Sequence, residues 1–236
     1  MTKLRILVAD DHEVIRQGVI SLIKSQPGWE VCAQVANGRD AIDRAKELRP
    51  DVVTLDVGMP ILNGIEATRQ IAKDNPCAKV LILTMADGDR VVHEALEAGA
   101  RGFVLKSDAS RDLIAAIDAV GRGNTFFTAR VSQTVLLGYL EYAHGGKGMD
   151  ALSNLSPRER EVIQLLAEGY SSKQVASRLG ISSKTAETHR SNMMQKLNLH
   201  SLPELVVFAV RNGIIQVPIR GAESAIQRQT SQIHAV

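Results

Sequence analysis

Aromatic residues are scarce in this chain of 236 residues: one Trp, three Tyr and four Phe, or 3%. So few rings suit a large apolar ligand pocket poorly. Cysteine is scarcer still. Cys32 and Cys77 stand apart, with no Cys-x-x-Cys spacing and no His cluster beside them. That argues against a disulfide framework or a zinc site and leaves both as small buried residues. No apolar run approaches the roughly 20 residues that a bilayer-spanning helix needs. The N-terminal stretch Met1-Thr2-Lys3-Leu4-Arg5-Ile6-Leu7-Val8-Ala9 turns acidic too soon for a secretory signal. A cytoplasmic protein without membrane association is expected.

A large charge excess is also missing, since the net charge is only +2. The balance hides an asymmetry: residues 1–120 hold 15 Lys and Arg against 18 Asp and Glu, which leaves +5 on residues 121–236. A mildly acidic front half thus precedes a mildly basic back half, an order that suits a cation or phosphate site followed by a polyanion-binding unit. The length favours two domains.

The first 120 residues alternate short apolar runs with amphipathic stretches, the pattern of strand-helix units around a parallel sheet covered on both faces. Five strands are predicted, at Arg5–Ala9, Glu30–Ala36, Val52–Asp56, Val80–Thr84 and Gly102–Leu105. The helices between and after them are Val14–Lys24, Gly38–Leu48, Gly64–Lys73, Asp89–Ala98 and Ala109–Val120. This is an α/β fold with a five-stranded, doubly wound parallel sheet, and ligands of such folds bind beyond the C-terminal strand ends. We place this domain at 1–122. A linker at 123–150 follows, with a short helix at Ala129–Tyr142 and the glycine-rich Gly145-Gly146-Lys147-Gly148. Residues 151–216 read as an all-α four-helix domain, with helices at Pro157–Glu168, Ser172–Leu179, Lys184–Leu197 and Leu202–Arg211. A polar tail at 217–236 lacks periodicity and is expected to be disordered.

Asp10 and Asp11 follow the first strand and Asp56 ends the third, on one edge of the sheet. Clustered carboxylates repel, and a hard divalent cation such as Mg²⁺ offsets that repulsion with oxygen ligation that leaves room for a phosphate. Asp56 can then act as a nucleophile toward a phosphoryl donor, with the Lys106 ammonium neutralising the transferring oxygens. Thr84 offers a hydroxyl at the end of the fourth strand, and Phe103 is an aromatic able to turn inward if Thr84 is drawn toward the phosphoryl group. An Asp at a strand exit is commonly only a turn former or helix cap. The whole set, at the exits of strands one, three, four and five, points to metal-assisted phosphoryl chemistry.

The strings Val8-Ala9-Asp10-Asp11-His12, Leu55-Asp56-Val57-Gly58-Met59-Pro60, Leu83-Thr84 and Val104-Leu105-Lys106 resemble the receiver domain of two-component response regulators, which is flavodoxin-like. The resemblance implies a cation held by Asp11, Asp56 and the main-chain carbonyl of Gly58, assisted by Asp10. It also implies a sensor histidine kinase as phosphodonor, with Thr84 and Phe103 as switch residues. Ser107 stands where many receivers have proline.

In the second half, Lys173 to Ser182 reads as a helix, a turn at Gly180 and the capped start of another helix, with Ala176 small enough for a close crossing. The next helix turns Ala186, Met193 and Leu197 inward and a polar strip of Lys184, Glu187, Thr188, Ser191 and Gln195 outward. Such a strip is usually only solvated. Here a preceding helix and glycine turn, flanking cations and a basic domain make it fit the major groove. Leu155-Ser156-Pro157-Arg158-Glu159-Arg160-Glu161-Val162 and Ser182 to Arg190 resemble the LuxR-type helix-turn-helix domain, and the whole chain resembles the NarL/FixJ family. By that resemblance Glu187, Thr188 and Ser191 face bases, while Lys173, Lys184, Thr185, His189, Arg190 and Lys196 lie near phosphates. Ala186 stands where the family usually has Val. The expected protein is a non-enzymatic transcription factor acting as a homodimer on double-stranded promoter DNA, with RNA polymerase a further candidate partner. The competing readings are a haloacid-dehalogenase-type phosphatase, a LuxR-type sensor of a small ligand and a constitutive DNA binder. Gly58 speaks against the first, because that chemistry needs a second acid two residues after the nucleophile.

Overall fold

Strand formation in the first half follows from continuous burial. The runs Ile6-Leu7-Val8-Ala9 and Val52-Val53-Thr54-Leu55 are buried at every position, which requires a sheet with helices on both faces. The computed structural model describes residues 3–85, 88–128, 131–133, 152 and 154–215. The order is β1 (Leu4–Ala9), α1 (Glu13–Lys24), β2 (Trp29–Val35), α2 (Gly38–Leu48), β3 (Val52–Leu55), α3 (Gly64–Asp74), β4 (Lys79–Thr84), α4 (Asp89–Glu97), β5 (Gly102–Leu105), α5 (Ala109–Gly121) and β6 (Phe126–Phe127). The sheet runs β2-β1-β3-β4-β5-β6 and every pairing is parallel.

Alternation along β1 divides the core in two. Leu7 and Ala9 point to the side covered by α2, α3 and α4, where they meet Ala41, Leu62, Ile71 and Val92. Ile6 and Val8 point to the side of α1 and α5, against Ile20, Ile23, Leu113 and Ile117. Each fully buried Leu or Ile contributes about 1.5–3 kcal/mol relative to exposure.

The five expected strands and the five helices among them all form, with ends that move by at most one residue. The sheet has a sixth member that the sequence did not announce. Phe126 and Phe127 pair with Gly102 and Phe103 at the edge, inside the stretch read as linker. Two residues after a glycine turn carry no periodicity of their own. Cys32 is half-buried, whereas Cys77 is exposed in the turn before β4, which corrects the expectation that both are buried. Of the helix expected over 129–142, only residues 131–133 are described, and they are helical. The expected tail lies outside the described residues.

The second half forms α6 (Pro157–Ala167), α7 (Ser172–Leu179), α8 (Ser183–Lys196) and α9 (Leu202–Arg211) around a core of Val162, Leu165, Leu166, Val175, Ala176, Met193, Leu205 and Ala209. Local chemistry sets the helix starts. Ser156 and Glu159 form a reciprocal capping box with Pro157 at the first turn, and Ser171 and Gln174 form another. Gly180 ends α7 in the left-handed region at φ 62°, and Ser182 caps α8 by accepting from the Thr185 N–H.

Polar side chains of α6 join the two halves. Glu161 accepts from Arg39 at 2.9 Å and from Gln70 at 3.1 Å. Gln164 accepts from the Asn63 N–H at 2.8 Å and donates to the Met59 carbonyl at 3.1 Å. Arg160 lies 3.9 Å from Glu66, and Asn63 donates to the Ile214 carbonyl at 3.4 Å.

Candidate functional site

Parallel register assembles the acidic site. Ala9 lies opposite Leu55, so the residues that follow, Asp10 and Asp56, leave the sheet side by side, and Thr84 lies opposite Leu105 just before Lys106. Asp10 and Asp56 are 2% exposed, and Thr84 is fully buried. Lys106 Nζ bridges the two carboxylates, 2.8 Å from Asp10 Oδ2 and 2.9 Å from Asp56 Oδ2. The other Asp10 oxygen accepts from the His12 N–H at 2.9 Å, while Arg16 donates to the Asp10 carbonyl at 2.6 Å. Asp11 stands nearer the solvent, with its Oδ1 2.9 Å from His12 Nδ1.

Asp56 Oδ1 is buried and has no hydrogen-bond partner. Burial pushes the Asp56 carboxyl up from its ordinary range; Lys106 opposes the rise, and Asp10 and Asp11 add to it. A buried, unpartnered carboxylate oxygen is costly unless something ligates it or a proton neutralises it. Asp10, Asp11, His12 and Asp56 can each bring one ligand atom within 4.8 Å of the others. These donors are mostly carboxylate oxygens, which fit a hard divalent cation. The residues therefore suit the Mg²⁺ that the sequence called for. His12 is a member of the cluster to which the sequence reading gave no role.

The remaining predicted residues are placed as follows. Gly58 lies in the loop from Asp56 to α3, one residue before the anchored Met59 carbonyl. Phe103 is already fully buried in the core beside α4. Lys184, Thr185, Glu187, Thr188 and Ser191 are exposed along α8, His189 and Arg190 are half-buried, and Lys173 lies on α7. Lys196 ion-pairs with Glu159 at 2.8 Å, and Arg190 lies 3.9 Å from Glu187. Among the described residues, α6, Glu168 and the Gly213-Ile214 turn meet the first half, and Lys184, Thr185, Glu187, Thr188 and Ser191 on the outer face of α8 stay exposed. Sequence reasoning missed Glu161 and Gln164, whose partners in the other half lie 91 to 122 residues away in the chain.

Comparison with known proteins agrees with this geometry. Residues 6–118 match the response regulator receiver domain, and residues 153–209 match the LuxR family of bacterial regulatory proteins. The oxygen regulatory protein NreC of Staphylococcus epidermidis is 36% identical over 217 residues, covering 90% of this chain and 100% of that protein. The transcriptional regulatory protein DegU of Brevibacillus brevis is 33% identical over 227 residues, covering 91% and 96%. Among solved structures, the RcsB response regulator of Salmonella typhimurium is 27% identical, with a TM-score of 0.53 over 88% of this chain and 98% of that one. A further structure, at 25% identity and a TM-score of 0.53 over 88% and 98%, holds two RcsB dimers bound to two parallel DNAs. With both family models on one chain and relatives that span its length, the chain belongs to the NarL/FixJ family of response regulators, non-enzymatic transcription factors that join a phosphorylatable receiver to a LuxR-type DNA-binding helix-turn-helix.

Proposed function

We propose that Asp56 takes a phosphoryl group from a phosphohistidine of a sensor histidine kinase, and that the modified chain pairs with a second copy to bind promoter DNA through α8. The observation that carries this reading is the buried Asp56 carboxylate, with one oxygen on Lys106 and the other unpartnered. Asp56 attacks the phosphorus, the P–N bond breaks and the imidazole leaves. Lys106 then balances charge on the new acyl phosphate, and the Thr84 hydroxyl donates to a phosphoryl oxygen. Asp10, Asp11, Asp56 and the Gly58 carbonyl would hold Mg²⁺, which supplies charge neutralisation on the transferring oxygens.

In this reading residues 1–122 receive the phosphoryl group, 123–150 connect, 151–216 bind DNA and 217–236 lie beyond. Glu187, Thr188 and Ser191 meet base edges, while Lys173, Lys184, Thr185, His189, Arg190 and Lys196 approach phosphates. Exposure of α8 in the docked chain supports control through pairing of two copies rather than through uncovering of the recognition helix. Binding of RNA polymerase by the paired form completes the reading.

The test is incubation with Mg²⁺ and a small phosphodonor, with mass spectrometry for the adduct, analytical ultracentrifugation for the dimer and promoter DNA titrations before and after. Asp56→Asn should abolish the adduct. Equal DNA affinity in both states would remove the switch.

A further inference from the structure

The loop between β3 and α3 starts at Asp56 and is held from both halves of the chain. Its Met59 carbonyl accepts from Gln164 Nε2 at 3.1 Å, and its Asn63 N–H donates to Gln164 Oε1 at 2.8 Å. The Ile61 N–H points to Glu168 Oε2 at 3.4 Å, and Glu168 Oε1 accepts a further bond from Gln164 Nε2 at 2.7 Å. Two side chains at the end of α6 therefore serve three peptide groups of this loop. From within the receiver, Gly38 N–H donates to the Leu62 carbonyl at 3.1 Å, Leu62 N–H to the Pro60 carbonyl at 2.7 Å and Gly64 N–H to the Val57 carbonyl at 3.0 Å. None of these bonds engages the Met59 carbonyl or the Ile61 and Asn63 N–H groups.

The loop needs such support. Ile61 adopts φ 69°, in the left-handed region, where a β-branched residue is strained by on the order of 1–3 kcal/mol unless its surroundings impose the conformation. Gln164 is 1% exposed, so its amide has no competing water, and both ends of that amide are engaged with the loop. Gripping Met59 and Asn63 together fixes the path of the chain on either side of Ile61. The Gly58 carbonyl directly precedes the gripped peptide.

We propose that Gln164, a residue of the DNA-binding domain, is a positioning residue for the phosphoryl-transfer site. By ordering the 59–63 loop in advance it holds the Gly58 carbonyl where Mg²⁺ needs it. The metal then need not impose that order as it binds. This rests on the reading of Asp56 and its neighbours as an Mg²⁺-dependent phosphoacceptor site.

The experiment uses the full chain and compares wild type with Gln164→Ala and with Gln164→Met, which keeps the volume and loses both hydrogen bonds. Arg39→Ala is the control, since it weakens the contact between the halves at Glu161 without touching the loop. Mg²⁺ affinity is measured by calorimetry without phosphodonor, and phosphorylation rate is followed against Mg²⁺ concentration. Loss of Gln164 is expected to weaken Mg²⁺ binding about tenfold, the scale seen when outer partners of metal ligands are removed. The Mg²⁺ concentration for half-maximal rate should rise in parallel while the rate at saturating Mg²⁺ holds, and Arg39→Ala should change either value less than twofold. An unchanged or tighter Mg²⁺ affinity in both Gln164 variants overturns the proposal, as does an equal shift in Arg39→Ala. A wild-type chain that binds no Mg²⁺ and takes no phosphoryl group overturns the parent reading too, which tells the two failures apart.

Discussion

A β-carbon placed on Gly64 would stand 2.0 Å from the carbonyl oxygen of Asp56. The first residue of α3 is thus pressed against the backbone of Asp56, and the Gly64 N–H donates to the next carbonyl, that of Val57, at 3.0 Å. Neither neighbour is a flexible side chain, so any substituent must displace backbone. Gly64→Ala should lower stability by about 3 kcal/mol, at the upper end for overpacking, as read by urea denaturation. It should also slow phosphorylation at saturating Mg²⁺, because Asp56 itself moves. A variant of wild-type stability would show that the helix start can shift without disturbing Asp56.

Lys106 is the cation that the described structure places between Asp10 and Asp56. All three side chains are at most 3% exposed, so its removal strands two carboxylates away from water. Lys106→Met should cost about 3–5 kcal/mol in the presence of a chelator. Millimolar Mg²⁺ should recover part of that loss and should raise the melting temperature of the variant more than that of wild type. Equal Mg²⁺ increments in the two proteins would mean that the ammonium and the metal do not share the same carboxylates.

These residues could be named from the sequence because strand ends in a parallel sheet converge, so Asp10, Asp56, Thr84 and Lys106 needed only correct strands to be brought together. The strands were correct because double-sided burial writes itself as unbroken apolar runs. The helix-turn-helix was equally local, with Ser156, Ser171, Gly180 and Ser182 each acting within one helical turn. What escaped was of another kind. Glu159, Glu161 and Gln164 are polar residues to which the sequence assigned no role, yet all are buried. Glu159 is covered by Lys196 of the same domain, whereas Glu161 and Gln164, besides their neighbours Arg158 and Glu168, have partners in the receiver. Nothing near them in the chain could signal that.

Glu66 should make the stability of the chain depend on pH. Burial pushes its carboxyl above the ordinary range, against the pull of Arg69 and Arg160 and a side-chain hydrogen bond with Gln70, while Glu161 adds to the rise. The folded chain thus holds this proton more tightly than the unfolded chain does. The contribution of Glu66 is most favourable below its unfolded pKa and is lost as the pH rises through the folded value. Glu66→Gln should flatten the pH dependence of stability in that window and raise the melting temperature at neutral pH, with the gain vanishing in acid. A gain that persists undiminished below the ordinary carboxylate range would assign the effect to something other than this proton.

Along α8 the exposed residues divide by chemistry, and binding measurements can separate them. Glu187 and Thr188 carry groups able to read base edges, so Glu187→Ala or Thr188→Ala should relax preference at one or two positions of each half-site, by about 1–3 kcal/mol for each base no longer read, and leave the salt dependence alone. In the proposed DNA interface Lys184 and Lys173 would bring only charge. Replacing either by Ala should weaken binding to all sequences alike and reduce the slope of log affinity against log salt by about 0.9 for each phosphate no longer neutralised. Lys196 belongs to neither class while it pairs with Glu159. Lys196→Ala should therefore change stability as well as affinity, and Glu159→Gln should reproduce the stability loss with the lysine still present. If Lys196→Ala behaves as Lys184→Ala does, with a reduced salt slope and wild-type stability, the pair with Glu159 opens on DNA and Lys196 grips a phosphate instead.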